Sequence, residues 1–280
     1  MADKDTLIQP DRGQKAIEIQ LVDKANFASW LKGLSGPQRA SVEAQQFAGN
    51  GFDTAIVPDG DGWFAAGGWC LARLAEKLPA GTYRLAPAHD GADAARALLG
   101  WQTAQYRFTR YRSEDEDPGD RILLTKQAHA IEPALAEAQA VFTVRDLVNT
   151  PAEDMGPSAL EAAVEALGKA HAAKVSVIKG DRLESEFPMV HAVGRAASRH
   201  HAPRMIELSW GDPAAPRLAL VGKGVCFDSG GLDIKTASGM ELMKKDMGGA
   251  AHALALAGLV MGAGLKVRLQ LLIPAVENAV

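Results

Sequence analysis

Residues 218–252 read LALVGKGVCFDSGGLDIKTASGMELMKKDMGGAAH, and the reading of this stretch decides that of the whole chain. An apolar run, Leu218 to Val221, leads into what reads as a turn holding Gly222, Gly224, Gly230 and Gly231, and a second glycine pair, Gly248 and Gly249, follows Asp246. Glycine allows backbone and ligand to approach closely. Between the glycines sit Lys223, Asp228, Lys235 and Asp246. Carboxylates and amines gathered in one short segment can hold divalent cations and steady a developing oxyanion. A lysine ligates only as the neutral amine, so at Lys223 the cation itself would have to displace a proton. The plainer reading of the same residues is a strand, a solvated turn with a local ion pair, and a helix capped by Asp246. A phosphate-binding loop at Gly222-Lys223-Gly224 lacks the Walker spacing and a following Ser or Thr.

Outward from that stretch, the sequence alternates strand and helix signals. On the amino-terminal side these are AIEIQLV at Ala16–Val22, helical spacing of Phe27, Trp30 and Leu31, strand signals at Phe52–Pro58 and Trp63–Ala66, and a helix from Trp69 to Leu78. Tyr83–Leu85 and Ala92–Leu99 continue the pattern, and the aromatics Trp101, Tyr106, Phe108 and Tyr111 read as core rather than as a base-stacking surface. SEDEDPGD, Ser113 to Asp120, is the sharpest break in composition and reads as a solvated loop without EF-hand spacing. A long helix at Ile131–Asn149 follows, stopping before Pro151. These features predict a small α/β domain over 1–130, then a linker helix and a second α/β unit over 131–280.

In the second unit, Ser158 with Glu161 suggests a capping box for a helix reaching Ala172. Strands are expected at Val175–Ile178, Met205–Trp210, Arg217–Val221 and Val267–Ile273, with a helix from Met247 to Met261. That order predicts a largely parallel or mixed sheet with helices on both faces, whose sites collect at strand carboxyl ends. His191, His200 and His201 fall in no ligand spacing and read as surface or hydrogen-bonded residues.

The chain has 280 residues, is 47% hydrophobic and 23% charged, and carries a formal net charge of −4, the composition of a globular protein without a general nucleic-acid or membrane-surface role. Two cysteines, Cys70 and Cys226, do not make a disulfide framework, and Cys226 reads as a small buried hydrophobe. The polar start MADKDTLIQPDRGQ has no signal-type run, and no segment is apolar enough to span a bilayer, so the expected location is the cytoplasm.

The run VGKGVCFDSGGLDIKTASGMELMKKDMGGAAHA resembles the metal-binding core of the leucyl aminopeptidase family, the cytosol aminopeptidases, with VGKG, FDSGG, IK and MKxDMGGAA in order. RDLVNTPAEDMGPSAL from Arg145 and HAVGRA from His191 resemble further segments of that family. The resemblance implies an amino-terminal α/β domain joined by a helix to a zinc-exopeptidase-like mixed-sheet domain. It implies two divalent metal ions, Zn or Mn with Mg or Co as other choices, held in part by Lys223, Asp228 and Asp246. Asp228 would bridge the ions and Asp246 would also face the substrate's free amino group. Lys235 would stand off the metals and stabilise the oxyanion, and Met243 would line the pocket for the first side chain. Peptide substrates with a leucine-like first residue, a bicarbonate-assisted proton transfer and a homo-hexamer are implied with it. The family's NTDAEGRL motif does not occur before Val280. The expectation is therefore that a further carboxy-terminal segment or a second chain completes the site. A non-catalytic, oligomeric or DNA-binding regulatory protein on the same architecture is the reading of a different class.

Overall fold

A computed structural model of the chain describes residues 7–68, 71–86, 92–113 and 119–280. Trp69, Cys70 and residues 114–118 of the acidic segment lie outside the described residues, and the readings made on them go no further. The chain divides into two compact units, Met1–Gln139 and Ala140–Val280.

In the first unit, β1 (Ile8–Pro10), β2 (Ile17–Leu21), α1 (Phe27–Gly33), α2 (Gly36–Ala44), β3 (Thr54–Asp59) and β4 (Gly62–Gly67) are followed by α3 (Ala72–Lys77), β5 (Gly81–Leu85), α4 (Ala92–Ala104) and β6 (Arg121–Thr125). Its described strands form one sheet in the order β1-β6-β5-β2-β4-β3. Every neighbouring pair is parallel except the β3-β4 hairpin. Ile19, Tyr83, Leu98, Trp101 and Leu123 fill the core on one side, and Val42, Phe47, Val57 and Phe64 form a second cluster with α1 and α2. Of the four aromatics expected in the core, Trp101 is fully buried, donating its indole N–H to the Arg121 carbonyl. Tyr111 is half exposed, so the core reading fails there; its ring meets Phe108 and the Arg110 guanidinium within the exposed loop after α4.

Helix α5 (Ile131–Asn149) occupies the span expected of it. Ile131 and Ala134 at its start belong to the first unit's core, and Leu147 near its end belongs to the second's. In the second unit it is followed by α6 (Pro157–Ala170), β7 (Lys174–Lys179), α7 (Asp181–Glu186), α8 (Pro188–Gly194), β8 (Arg204–Trp210), β9 (Arg217–Val221) and β10 (Gly224–Asp228). Then come α9 (Ala237–Met240), a 3₁₀ turn at Met243–Lys245, α10 (Gly248–Gly262) and β11 (Arg268–Asn278). The capping box is not where the sequence suggested. Helix α6 starts two residues earlier than that box implies, with Pro157 in its first turn and Gly156 as its cap, where the ring of His201 leaves no room for a side chain. Glu161 is thereby released to pair with Arg204 and Lys179.

The second sheet is mixed. β11 runs antiparallel to β8, and β8 antiparallel to β7, while β9 and β10 both pair parallel with β11. Leu160, Val164, Ile206, Leu208, Leu254 and Leu271 are among the residues that close its core. Since β8 occupies one edge of β11, β9 and β10 share the other, end to end. β9 covers the first half of β11, from Arg268 to Leu272, and β10 its last part, from Ala275 to Asn278. The pairs Val221↔Leu272 and Gly224↔Ala275 stay in one register across the gap, so residues 217–228 are a single strand interrupted at Gly222 and Lys223. This is the feature that positions the site.

Candidate functional site

The interruption has a local cause. A Cβ on Gly222 would lie 2.5 Å from the Cα of Ala250, and one on Gly224 would lie 2.6 Å from the carbonyl oxygen of Pro274. Both glycines therefore serve close backbone approach, the first to α10 and the second to β11. Gly224 belongs to a strand rather than to the turn the sequence suggested. Of the four glycines read as that turn, Gly230 and Gly231, at φ of 93° and 69°, are the two that require positive φ. The peptide N–H of Gly222 still donates to Leu272, 3.0 Å away, but the carbonyl of Lys223 leaves the ladder and accepts the N–H of Ala250 at 2.9 Å. The Lys223 side chain is thus delivered beside the first turn of α10, where Asp246 waits.

Asp246 does not cap that helix: the cap position is Met247, and no side chain caps it. Its carboxylate faces the amines instead, with Lys223 Nζ 2.8 Å from Oδ2 and Lys245 Nζ 3.6 Å from Oδ1. Oδ2 is buried and accepts no hydrogen bond, so the Lys223 ammonium supplies charge at close range without the alignment a hydrogen bond needs. The 3₁₀ turn that carries half-buried Met243 packs beside β10. It is tied down by Lys244, whose Nζ donates to the carbonyls of Val148 at 3.2 Å and Asn149 at 2.7 Å, the open carboxyl end of α5.

Asp228 ends β10. Between Val225 and Asp228 the register with β11 slips, a β-bulge that sets Asp228 level with Asn278. Its Oδ1 accepts the N–H of Gly230 at 3.0 Å and the amide Nδ2 of Asn278 at 2.7 Å, and Lys235 Nζ lies 3.0 Å from Oδ2. Burial pushes this carboxyl upward, but the hydrogen bonds from Lys235, Asn278 and Gly230 outweigh it and hold it below the ordinary aspartate value. Lys235, which the resemblance sets off the metals, is here paired with one of the carboxylates. The four charged residues marked in the sequence stand as two pairs, Lys223 with Asp246 and Lys235 with Asp228.

Cys226, inside the same strand, is buried, and burial pushes its thiol up to about 12, so it is neither nucleophile nor soft ligand at neutral pH. His201 pairs through Nδ1 with Glu277, and His191 lies 3.9 Å from Glu184, while His200 is exposed. Among the described residues no three His, Cys, Asp or Glu side chains form a metal cage on their own. The donor set available to a cation is two carboxylates and an amine. Its chemistry fits a hard or borderline divalent ion, and the buried, unsatisfied Asp246 Oδ2 is the kind of oxygen such an ion completes. Asn278 and the anchoring role of Lys244 were not marked in the sequence.

Fold and site together define a two-unit α/β chain with two amine–carboxylate pairs, one at the break of an edge strand and one at the end of its second half. Residues 142–280 match the model of the cytosol aminopeptidase family, catalytic domain, and residues 17–124 that of the M17 aminopeptidase, N-terminal domain. The chain belongs to the cytosol aminopeptidase family. A probable cytosol aminopeptidase of Brucella anthropi is 32% identical over 281 residues, covering 91% of this chain and 56% of that protein. The structure of a cytosol aminopeptidase from Coxiella burnetii aligns at a TM-score of 0.86 with 42% identity, over 98% of this chain and 61% of that one. A bottromycin maturation enzyme solved in complex with Mn aligns at 0.76 with 28% identity, over 94% of this chain and 60% of that one. The chain spans about half the length of the curated relatives it matches, with 40% covered in one from Rhodococcus opacus. No helix among the described residues is long and apolar enough to cross a membrane.

Proposed function

We propose that this chain forms part of a metal-dependent aminopeptidase that releases amino-terminal residues, leucine-like ones preferred, from peptides. The observation that carries the reading is the pairing of Lys223 with Asp246 and of Lys235 with Asp228 around a strand break, with Asp246 Oδ2 buried and unsatisfied. Membership of the cytosol aminopeptidase family supports it, as does the Mn in the structure of the bottromycin maturation enzyme.

On this reading Lys223, Asp228 and Asp246 hold two divalent ions, Zn or Mn. When bound, the ions supply Lewis-acid polarisation of the scissile carbonyl and a water of lowered pKa. Lys235 offers its ammonium to the oxyanion as charge develops there. Asp246 receives the substrate's free amino group, and Met243 forms part of the wall against the first side chain. Gly222, which admits no side chain against Ala250, and Gly249, which packs closely on the Lys223 backbone, keep that amine at the mouth of α10. Three ligands do not complete a clamp around two ions, so further donors join them in the working site. Assembly as a homo-hexamer, a cytoplasmic location, and a domain boundary at 130/131 belong to the same proposal.

The test is hydrolysis of leucyl p-nitroanilide by the purified protein with added Mn2+, beside Lys235→Ala. Turnover that depends on the metal and falls by roughly 100-fold or more in the variant is expected, the usual cost of one oxyanion donor. Turnover indifferent to chelator, or to Lys235→Ala, overturns the assignment.

A further inference from the structure

The last residue of β11 is placed against the turn that follows β10 by contacts of two separable kinds. The backbone carbonyl of Asn278 accepts the N–H of Ser229 at 3.0 Å and its hydroxyl at 2.7 Å. The Ser229 carbonyl accepts the N–H of Lys235 at 2.9 Å, so this main-chain staple fixes where the loop returns. The side chain does something else. Its Nδ2 donates at 2.7 Å to Asp228 Oδ1, an oxygen that already accepts the Gly230 N–H at 3.0 Å. With two donors on Oδ1, the carboxylate plane is set and Oδ2 is the oxygen presented to Lys235. The β-bulge is what makes this possible: without the extra residue between Val225 and Asp228, Asp228 would not stand level with Asn278.

We propose that Asn278 is a positioning residue that locks the rotation of the Asp228 carboxylate, reserving Oδ2 for the cation and for Lys235. This rests on the metal-site reading above. An Asp228 freed from the amide keeps only the Gly230 N–H on Oδ1 and can turn both oxygens toward the Lys235 ammonium, which then competes with the metal. Hydrogen-bonding partners of a metal ligand characteristically set 10–100-fold in affinity when removed.

The experiment is calorimetric titration of the full chain with Mn2+, comparing wild type, Asp228→Asn, Asn278→Leu and Asn278→Ala, with thermal melts of each. Leucine approximates the size of the amide and donates nothing, while the backbone staple to Ser229 survives both substitutions. Expected are loss of binding in Asp228→Asn and roughly 10–100-fold weaker binding in both Asn278 variants at nearly unchanged melting temperature. A crystal structure of Asn278→Leu is expected to show the Asp228 carboxylate rotated, with both oxygens near Lys235 Nζ. Should Asn278→Leu lose its fold, the Ala variant carries the same comparison. Wild-type affinity in the Asn278 variants alongside impaired binding in Asp228→Asn overturns the positioning role and leaves the metal site standing. Equal affinity in wild type and Asp228→Asn overturns the metal reading and the positioning role with it.

Discussion

Two clusters of the second unit are built from the same materials, one carboxylate between two cations, and they reach opposite states of satisfaction. Glu161 on α6 receives Lys179 Nζ at 2.7 Å on one oxygen and Arg204 Nη1 on the other. The remaining guanidinium donors are also used, Nε at 3.1 Å and Nη2 at 2.9 Å on the Ala202 carbonyl. Asp246 lies between Lys223 and Lys245, yet its buried Oδ2 accepts no hydrogen bond. The Arg204 side chain is 7% exposed, whereas that of Lys223 is 59% exposed. A planar, buried guanidinium organises a carboxylate completely; a mobile ammonium at the surface does not. The first cluster is built to hold the sheet to α6, and the second leaves a ligand oxygen to spare.

That contrast breaks most visibly at Arg204. Removing one partner of a buried ion pair strands the other, and because half-exposed Lys179 still serves Glu161 the low end of the usual range applies, about 3 kcal/mol. Arg204→Met is expected to lower the urea midpoint accordingly, and pairing it with Glu161→Gln should cost less than the sum of the two. A loss under about 1 kcal/mol for Arg204→Met would place this cluster with ordinary surface pairs. The same pair sets an acid limb. Burial raises the Glu161 carboxyl, but hydrogen bonds from Lys179 and Arg204 bring it below its ordinary 4.5. A carboxyl lowered by folding stabilises above that ordinary value, and the contribution disappears as pH falls through the folded one. Below pH 4.5 the wild type should therefore lose stability with a slope that Arg204→Met reduces.

The next effect tests the strand break itself. A methyl at Gly222 meets the Cα of Ala250 at 2.5 Å, an atom of the backbone that cannot step aside, so Gly222→Ala is expected to cost about 1–3 kcal/mol. On the other side of the comparison, a methyl at Gly168 of α6 meets the Val175 side chain at 2.5 Å and gains helix propensity. Gly168→Ala should cost less in the same denaturation assay. The reverse order would mean that α10 tolerates displacement from Lys223 and that the break is not held by close packing.

How far the sequence made this legible differs between the clusters for physical reasons. Alternation marked β2 and β9, and the long apolar pattern marked α5 to its ends, because periodicity is a local property. Lys223, Asp228, Lys235 and Asp246 were legible as chemistry because they crowd into one glycine-rich segment. β10 was not legible, since Gly224 argues against a strand until the close approach to Pro274 is seen. Short helices α7 and α8 carry too few turns for a periodic signal. Asn278 stands fifty positions from Asp228, and only the bulged register of β10 on β11 brings them together. Glu161 was read locally, as a partner of Ser158, when its partners lie on β7 and β8.

The smallest stability effect is expected where the sequence looked most charged. Asp246→Asn removes a buried carboxylate that folding has not furnished with hydrogen bonds, and it leaves behind two lysines that are more than half exposed and well hydrated. The attraction surrendered is the modest one between a carboxylate and surface ammoniums, and the desolvation recovered offsets it, so the change in unfolding free energy should stay within about 1 kcal/mol. Affinity for Mn2+ should fall at least roughly 10-fold in the same variant, because it loses the charge of one of the three groups offered to the cation. Melting and calorimetric titration of Asp246→Asn beside Arg204→Met therefore separate the clusters along two axes, stability and metal. A strongly destabilised Asp246→Asn with unaltered Mn2+ binding would make Asp246 a second Glu161 and remove the contrast between them.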